Sequence, residues 1–238
     1  MKGICGMVIV IKRKIVAIVA VVALVAVALV SGIGGGTDKV SALPTANRVI
    51  IIDAGHGGPD GGAIGTDNTA EKDLNLEVAL KLQKLLEQSG CTVFMTRTED
   101  ISLSTPEDDA NRQRKVADLA NRKKMIDEYD VEAFVSIHMN TFSDPQYFGT
   151  QVFYSNSSGS KQLADYIQSE VCKEDPDNIR VAKDGSKNIF ILSETTIPSV
   201  VVECGFLSNE KDLARLKTEE YQNKLAGAIF NGITKYYS

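Results

Sequence analysis

The chain holds two histidines, and each sits at the end of a short apolar run. His56 follows Val49-Ile-Ile-Ile-Asp-Ala-Gly55, and His138 closes Ala133-Phe-Val-Ser-Ile137. A third run, Ser199-Val-Val-Val202, delivers Glu203 in the same manner. Neutral imidazoles and a carboxylate suit zinc, and a catalytic zinc keeps three protein ligands and one position open to water. His56, Glu71 and His138 fill those three places in this reading, with Asp60, Asp67 and Asp73 competing with Glu71 for the third. Glu203, arriving on its own run, is then free to take a proton from the activated water.

One histidine at a strand end is usually a hydrogen-bonded structural residue. Here there are only two, and both are placed alike, which points to a shared ion. Glu71 alone would read as a solvated loop carboxylate. An acid inside Val-Val-Val-Glu-Cys-Gly-Phe-Leu is harder to dismiss, because burying it without a partner is costly. Glycines crowd His56, in Gly55-His-Gly-Gly58 and Asp60-Gly-Gly62, and let the backbone bend sharply and approach a ligand. Cys204 neighbours Glu203, but strand alternation sends it to the opposite face. The single-helix spacings HExxH and HxxEH are absent, as is the GxSxG elbow.

Apolar runs of this length, bounded by glycine and polar residues, read as buried strands. Between them the pattern turns helical. Asp73 is expected to cap a helix with Leu74, Val78, Leu82 and Leu85 on one face, stopped by Gly90. Thr92–Thr96 reads as a strand, and 109–128 as a helix with Val116, Leu119 and Ile126 inward. Gln151–Tyr154 reads as an edge strand, Lys161–Lys173 as a helix and Asn188–Leu192 as a short strand. A helix starts near Asn209, and Thr218 caps a last one with Tyr221, Leu225, Ile229 and Ile233 facing the core. Alternating strands and helices predict a single α/β domain: a mostly parallel, mixed sheet of about six strands with helices on both faces. Ligands gather outside the carboxyl ends of such strands, so the three runs predict one common site.

The amino terminus differs. Lys12-Arg13-Lys14 precedes sixteen uncharged apolar residues, Ile15 to Val30, and then small residues to Gly36. This is the pattern of an export signal, with cleavage or retention as a membrane anchor left open. Residues 1–36 are therefore read as signal or anchor, 37–48 as a linker and 49–238 as the catalytic domain. Without the four basic residues of the first segment, 22 basic residues face 31 acidic ones, a net charge of −9. No basic stripe remains, which argues against a nucleic-acid partner. Cys91, Cys172 and Cys204 are too few and scattered for a disulfide framework and are read as packed free thiols.

Five segments, in order, carry a resemblance: Asp53-Ala-Gly-His-Gly-Gly-Pro-Asp-Gly-Gly-Ala63, Glu71-Lys-Asp-Leu-Asn-Leu76, Met95-Thr-Arg97, Ser136-Ile-His-Met-Asn140 and Val202-Glu-Cys-Gly-Phe-Leu-Ser-Asn209. The sequence from Val49 onward resembles the zinc-dependent N-acetylmuramoyl-L-alanine amidases of the type 3 family. Arg114–Arg122 and the ending Gly232-Ile-Thr-Lys-Tyr-Tyr237 are similar to the germination-specific branch found in spore formers, which helps make muramic lactam in cortex peptidoglycan. Ala54 stands where family members often carry Pro, and Cys204 where they carry another small or aliphatic residue; neither is a ligand position. The resemblance implies one ordinary helix between Tyr154 and Asn188, without the insertion that occludes the site in activator-controlled relatives. It assigns one zinc to His56, Glu71 and His138, and catalysis to Glu203.

The implied reaction is hydrolysis of the amide between the lactyl group of N-acetylmuramic acid and L-alanine. Zinc would polarise the carbonyl, and Glu203 would deprotonate the attacking water and protonate the leaving amine. Asn140 is a candidate for orienting substrate, and Arg97 for meeting a stem-peptide carboxylate. The implied partner is peptidoglycan, with room for an accessory or activator protein. Membrane contact would come only through the amino-terminal segment, and the place of action would be the cell wall or spore cortex. The rival readings are an inactive cell-wall binding module and a different zinc hydrolase of wall sugars or peptides.

Overall fold

The computed structural model describes residues 43–110 and 112–238; the apolar amino-terminal stretch and the first half of the expected linker lie outside them. Among the described residues no helix is long and apolar enough to cross a membrane. In chain order the elements are β1 (Val49–Ala54), α1 (Glu71–Gln88), β2 (Thr92–Met95), α2 (Pro106–Ala110), α3 (Arg114–Glu128), β3 (Ala133–Asn140) and β4 (Gln151–Tyr154). There follow α4 (Ser160–Glu174), β5 (Lys183–Asp184), a 3₁₀ turn (Phe190–Leu192), β6 (Ser199–Phe206), α5 (Glu210–Leu216) and α6 (Glu219–Tyr236). The six strands form one sheet in the order β2-β1-β3-β6-β4-β5. The first four are mutually parallel, while β4 runs antiparallel to β6, so the sheet is mixed and mostly parallel, as expected.

Alternation along the strands divides the core in two. Ile50, Ile52, Val135, Ile137, Val200 and Val202 pack under α1, α4 and α6, whose buried stripes include Val78 and Leu82, Leu163 and Ile167, and Leu225, Ile229 and Ile233. Ile51, Phe134 and Val201 face the other way, against Ile126 of α3 and Ile191 and Leu192 of the 3₁₀ turn. Helices therefore cover both faces. From β1 the chain crosses under one face to β2, and returns over the other face to β3. The gap between β1 and β3 is thus the point where the winding reverses, the place where open α/β sheets bind ligands.

Several expectations need correction. α1 begins at Glu71, two residues before Asp73, so both carboxylates lie in its first turn, where the unpaired amides favour negative charge. The helix expected over 109–128 is split into α2 and α3, with Arg112 between them at φ 59°. Val116 is 69% exposed, and the inward stripe is Asp118, Arg122 and Ile126, two charged residues satisfied by each other and by the sheet. Asn188–Leu192 is not a strand but loop and 3₁₀ turn, and β4 is not the edge, because two-residue β5 pairs outside it. Thr45, read as linker, is buried and donates to Ser89 Oγ at 2.8 Å, and Arg48 meets Glu132 at 2.7 Å, so the folded domain begins before Val49. Cys91, Cys172 and Cys204 are free thiols.

Candidate metal centre and active site

β1 ends at Ala54, and the glycine-rich loop beyond it carries His56 over the sheet's carboxyl end. His56 itself has φ 61°, a left-handed backbone that a non-glycine residue adopts only when its surroundings enforce it. The enforcement is visible: Arg122 Nη2 donates to the His56 carbonyl at 2.6 Å, and the Gly57 amide donates to the Asp60 carbonyl at 3.0 Å. Glu71 enters from the first turn of α1. His138 comes from the end of β3, and its register partner on adjacent parallel β6 is Glu203. Neighbouring residues in register point to the same face, so His138 and Glu203 stand side by side.

His56 Nε2 lies 3.3 Å from Glu71 Oε2, and His138 Nδ1 lies 2.9 Å from Glu71 Oε1. One potential ligand atom from each of the three residues lies within 4.8 Å of the others. Four-coordinate N/O sites with bonds of ~2.0–2.1 Å place neighbouring ligand atoms about 3.3 Å apart, so the cluster has the dimensions of a metal site. Backbone has been cleared to make room for it. A Cβ on Gly55 would sit 2.2 Å from His138 Nε2, and one on Gly62, at φ 70°, 2.5 Å from Glu71 Oε2. Asp60, a rival for the third ligand place, instead holds His56 Nδ1 at 2.9 Å, the outer partner that fixes an imidazole's orientation. Glu71 is further held by the amides of Ala63 (2.8 Å) and Met139 (3.0 Å).

Burial opposes charge on His138, but the Glu71 carboxylate outweighs it and lifts the imidazole to about 9. Burial also raises Glu71, and the hydrogen bonds from His138 and His56 reverse that and hold it well below the usual carboxylate range. Glu203 has no such support: burial pushes it up to about 7, against the pull of His138. Its Oε2 is shut from solvent and has no hydrogen-bond partner. An orphaned buried carboxylate oxygen is rare and calls for a missing partner. The donor set, the cleared backbone and this oxygen together fit a bound metal ion and a water beside it.

Residues 50–235 match the family model described as N-acetylmuramoyl-L-alanine amidase. The chain belongs to this family. It is 36% identical, over 84% of each chain, to the germination-specific N-acetylmuramoyl-L-alanine amidase of Bacillus subtilis. Among solved structures it is similar to the CwlD amidase of Clostridioides difficile in complex with the GerS lipoprotein, with 46% identity, a TM-score of 0.77 and coverage of 80% of this chain and 98% of that one. It is also similar to the catalytic domain of CwlV, an N-acetylmuramoyl-L-alanine amidase of Bacillus (Paenibacillus) polymyxa, with 33% identity, a TM-score of 0.68 and coverage of 79% and 97%.

One residue of the amidase sits differently from expectation. Arg97 is 2% exposed and does not reach into the cleft: its guanidinium donates to the carbonyls of Ala54 (2.8 Å), Gly55 (3.0 Å) and Lys72 (2.7 Å). It fastens the loop bearing His56 to α1, which is support from beneath and not substrate contact. Asn140 lies beyond a bulge in β3, where its Oδ1 accepts from the Thr141 amide at 2.8 Å. Arg122 entered the sequence reading only as the end of the segment Arg114–Arg122, and its role escaped it. It is 1% exposed and donates to Asp53 Oδ1 (2.6 Å), Asp118 Oδ2 (2.7 Å) and the Ala54 and His56 carbonyls (2.8 and 2.6 Å). Asp53 in turn accepts from Ser136 Oγ at 2.5 Å, two residues before His138 on the same face of β3. A cleft of about 260 Å³ opens over the centre between α3 and the 3₁₀ turn, lined by His56, His138, Asp60, Lys115, Leu119 and Phe190 among others.

Proposed function

We propose that His56, Glu71 and His138 hold one zinc ion and that Glu203 is the general base and acid for cleavage of the N-acetylmuramic acid–L-alanine amide. Two imidazoles and a carboxylate with a place left for water are the donor set of zinc hydrolases. Bound there, zinc supplies a polarised carbonyl and a more acidic water. Glu203 takes the proton of the attacking water on its unpartnered oxygen and then passes it to the departing amine of L-alanine. A buried carboxylate with one oxygen free of other partners can do both, accepting the proton of the water and handing it on. Asp60 sets the orientation of His56, and Arg122 and Arg97 hold the loop that carries it.

The observation that carries this reading is Glu203 Oε2, buried and unpaired beside a three-residue ligand cluster. A wall-binding module without catalysis would have no use for that unfavourable carboxylate. The test is mass spectrometry of digested peptidoglycan together with bound-metal content. Free stem peptides starting at L-alanine, one zinc per chain, and loss of both in His138→Ala support the reading. Lost acetyl groups or cut stems would point to another wall hydrolase.

A role in spore-cortex maturation, where freed muramic acid becomes muramic lactam, is supported by similarity to the germination-specific relative. The lipoprotein bound to the Clostridioides difficile relative supports an accessory protein as a partner here. Export to the wall or cortex side of the membrane is supported by the basic, apolar and small-residue succession of residues 12–36.

A further inference from the structure

The cleft over the metal centre does not end at His56. Asp60, Lys115 and Asp118 line it, and the same three residues line a second depression of about 440 Å³ that also touches Arg112 and Arg114. The two form one groove running from the ligand cluster, past Lys115, to the break between α2 and α3. The charges along it are unequal in their freedom. Asp60 is taken by His56 and the Gly62 amide, and Asp118 by Arg122, Ser102 and the Leu103 amide. Arg114 is paired with Asp109 at 2.7 Å. Lys115 and Arg112 pair with no carboxylate among the described residues, although the chain is acidic overall. Arg112, held at φ 59° where one helix stops and the next begins, sits at the groove's outer end.

From this we infer that the groove is the subsite for the anionic stem peptide, with Lys115, then Arg112, receiving the carboxylates that follow L-alanine. The inference rests on the amidase reading and adds the direction in which the substrate lies. The scissile amide sits at the ligand cluster, so the leaving peptide must exit along one side of it. The side toward Lys115 offers two cations that form no ion pair with a carboxylate among the described residues, whereas the opposite wall offers the half-exposed ring of Phe190, already covered by Lys123 at 5.5 Å. Unpaired cations lining a cleft bind and orient an anion, and salt weakens them.

The test pairs protein variants with substrate variants in zinc-loaded enzyme. Lys115→Met, Arg112→Met and the double variant are compared on muropeptides whose stem carboxylates are free or amidated. The double variant should raise KM about tenfold on the free acid with kcat, zinc content and melting temperature held. On the amidated substrate it should match wild type. Calorimetry with the peptide L-alanyl-D-glutamate and its amide, which needs no turnover, should show the same loss confined to the acid. Equal losses on acid and amide, or no loss on either, would overturn the subsite. A wild type that releases no stem peptide sinks the amidase reading instead, and the calorimetric arm still decides whether the groove takes the anion.

Discussion

Glu203 concentrates the residue-scale argument, because its position costs the fold stability and has no structural return. Glu203→Gln keeps the shape and removes the proton acceptor, so hydrolysis should fall by about 10²–10⁴-fold with zinc content unchanged; wild-type-like turnover would remove Glu203 from the mechanism. The same change has a stability signature in metal-free protein. An acid free in the unfolded chain titrates near 4.5, and burial lifts Glu203 to about 7 when folded. The folded state thus holds the proton more tightly, and stability is lost as pH rises from about 4.5 through 7. The glutamine variant lacks that loss. Metal-free Glu203→Gln should therefore gain in melting temperature over wild type at pH 8 relative to pH 5, and a gap independent of pH would contradict the burial argument. His56, His138 and Glu203 were legible because each is a chemically telling side chain at the end of an apolar run, whereas Glu71 stands in a polar loop and spacing alone did not separate it from Asp60, Asp67 and Asp73. Asp60 and Arg97 were visible as residues but not in their roles, since sequence does not reveal which carbonyl or imidazole a side chain meets.

At the scale of elements, α3 is where pattern reading failed, for a physical reason. Apolar periodicity picks out Val116, Leu119 and Ile126, yet the face turned to the sheet is Asp118, Arg122 and Ile126. Two charges can be buried when each is paired and hydrogen-bonded, and Arg122 has Asp53, Asp118 and two carbonyls. Its planar fork spans the helix, β1 and the His56 loop at once, so it transmits the rigidity of the sheet to the strained backbone of His56. Removing one partner of a buried pair costs about 3–5 kcal/mol, and loosening a ligand's outer support weakens metal binding by about 10–100-fold. Arg122→Met should show both effects. Arg122→Lys should keep the charge but not the fork, recovering part of the stability while zinc binding stays weak. Zinc titration of the refolded variants, with melting curves alongside, separates the two effects; wild-type zinc affinity in Arg122→Lys would mean that the guanidinium only packs.

For the whole molecule, most of the succession of strands and helices was legible, apart from the split before Arg114 and the false strand at 188–192, but the sheet order was not. Nothing in Gln151–Tyr154 states that it turns antiparallel to β6, nor that two residues at 183–184 pair outside it. What the order accomplishes is specific. It sets β1 and β3 next to each other where the winding reverses, and β6 on the other side of β3, so residues 56, 71, 138 and 203 meet although the chain between them is long. The ion would then fasten the β1 loop, the start of α1 and the end of β3 to one another. A ligand that binds only the folded state stabilises it by mass action, about 4.1 kcal/mol at a thousand times its dissociation constant. A domain of this size shifts by about 2–4 °C per kcal/mol, so thorough chelation should lower melting by about 10 °C and abolish wall hydrolysis, with zinc restoring both. The paired change His56→Ala and His138→Ala should melt at one temperature with or without zinc. A wild-type domain whose melting and activity ignore the chelator would show that this cluster is held by protons and hydrogen bonds alone.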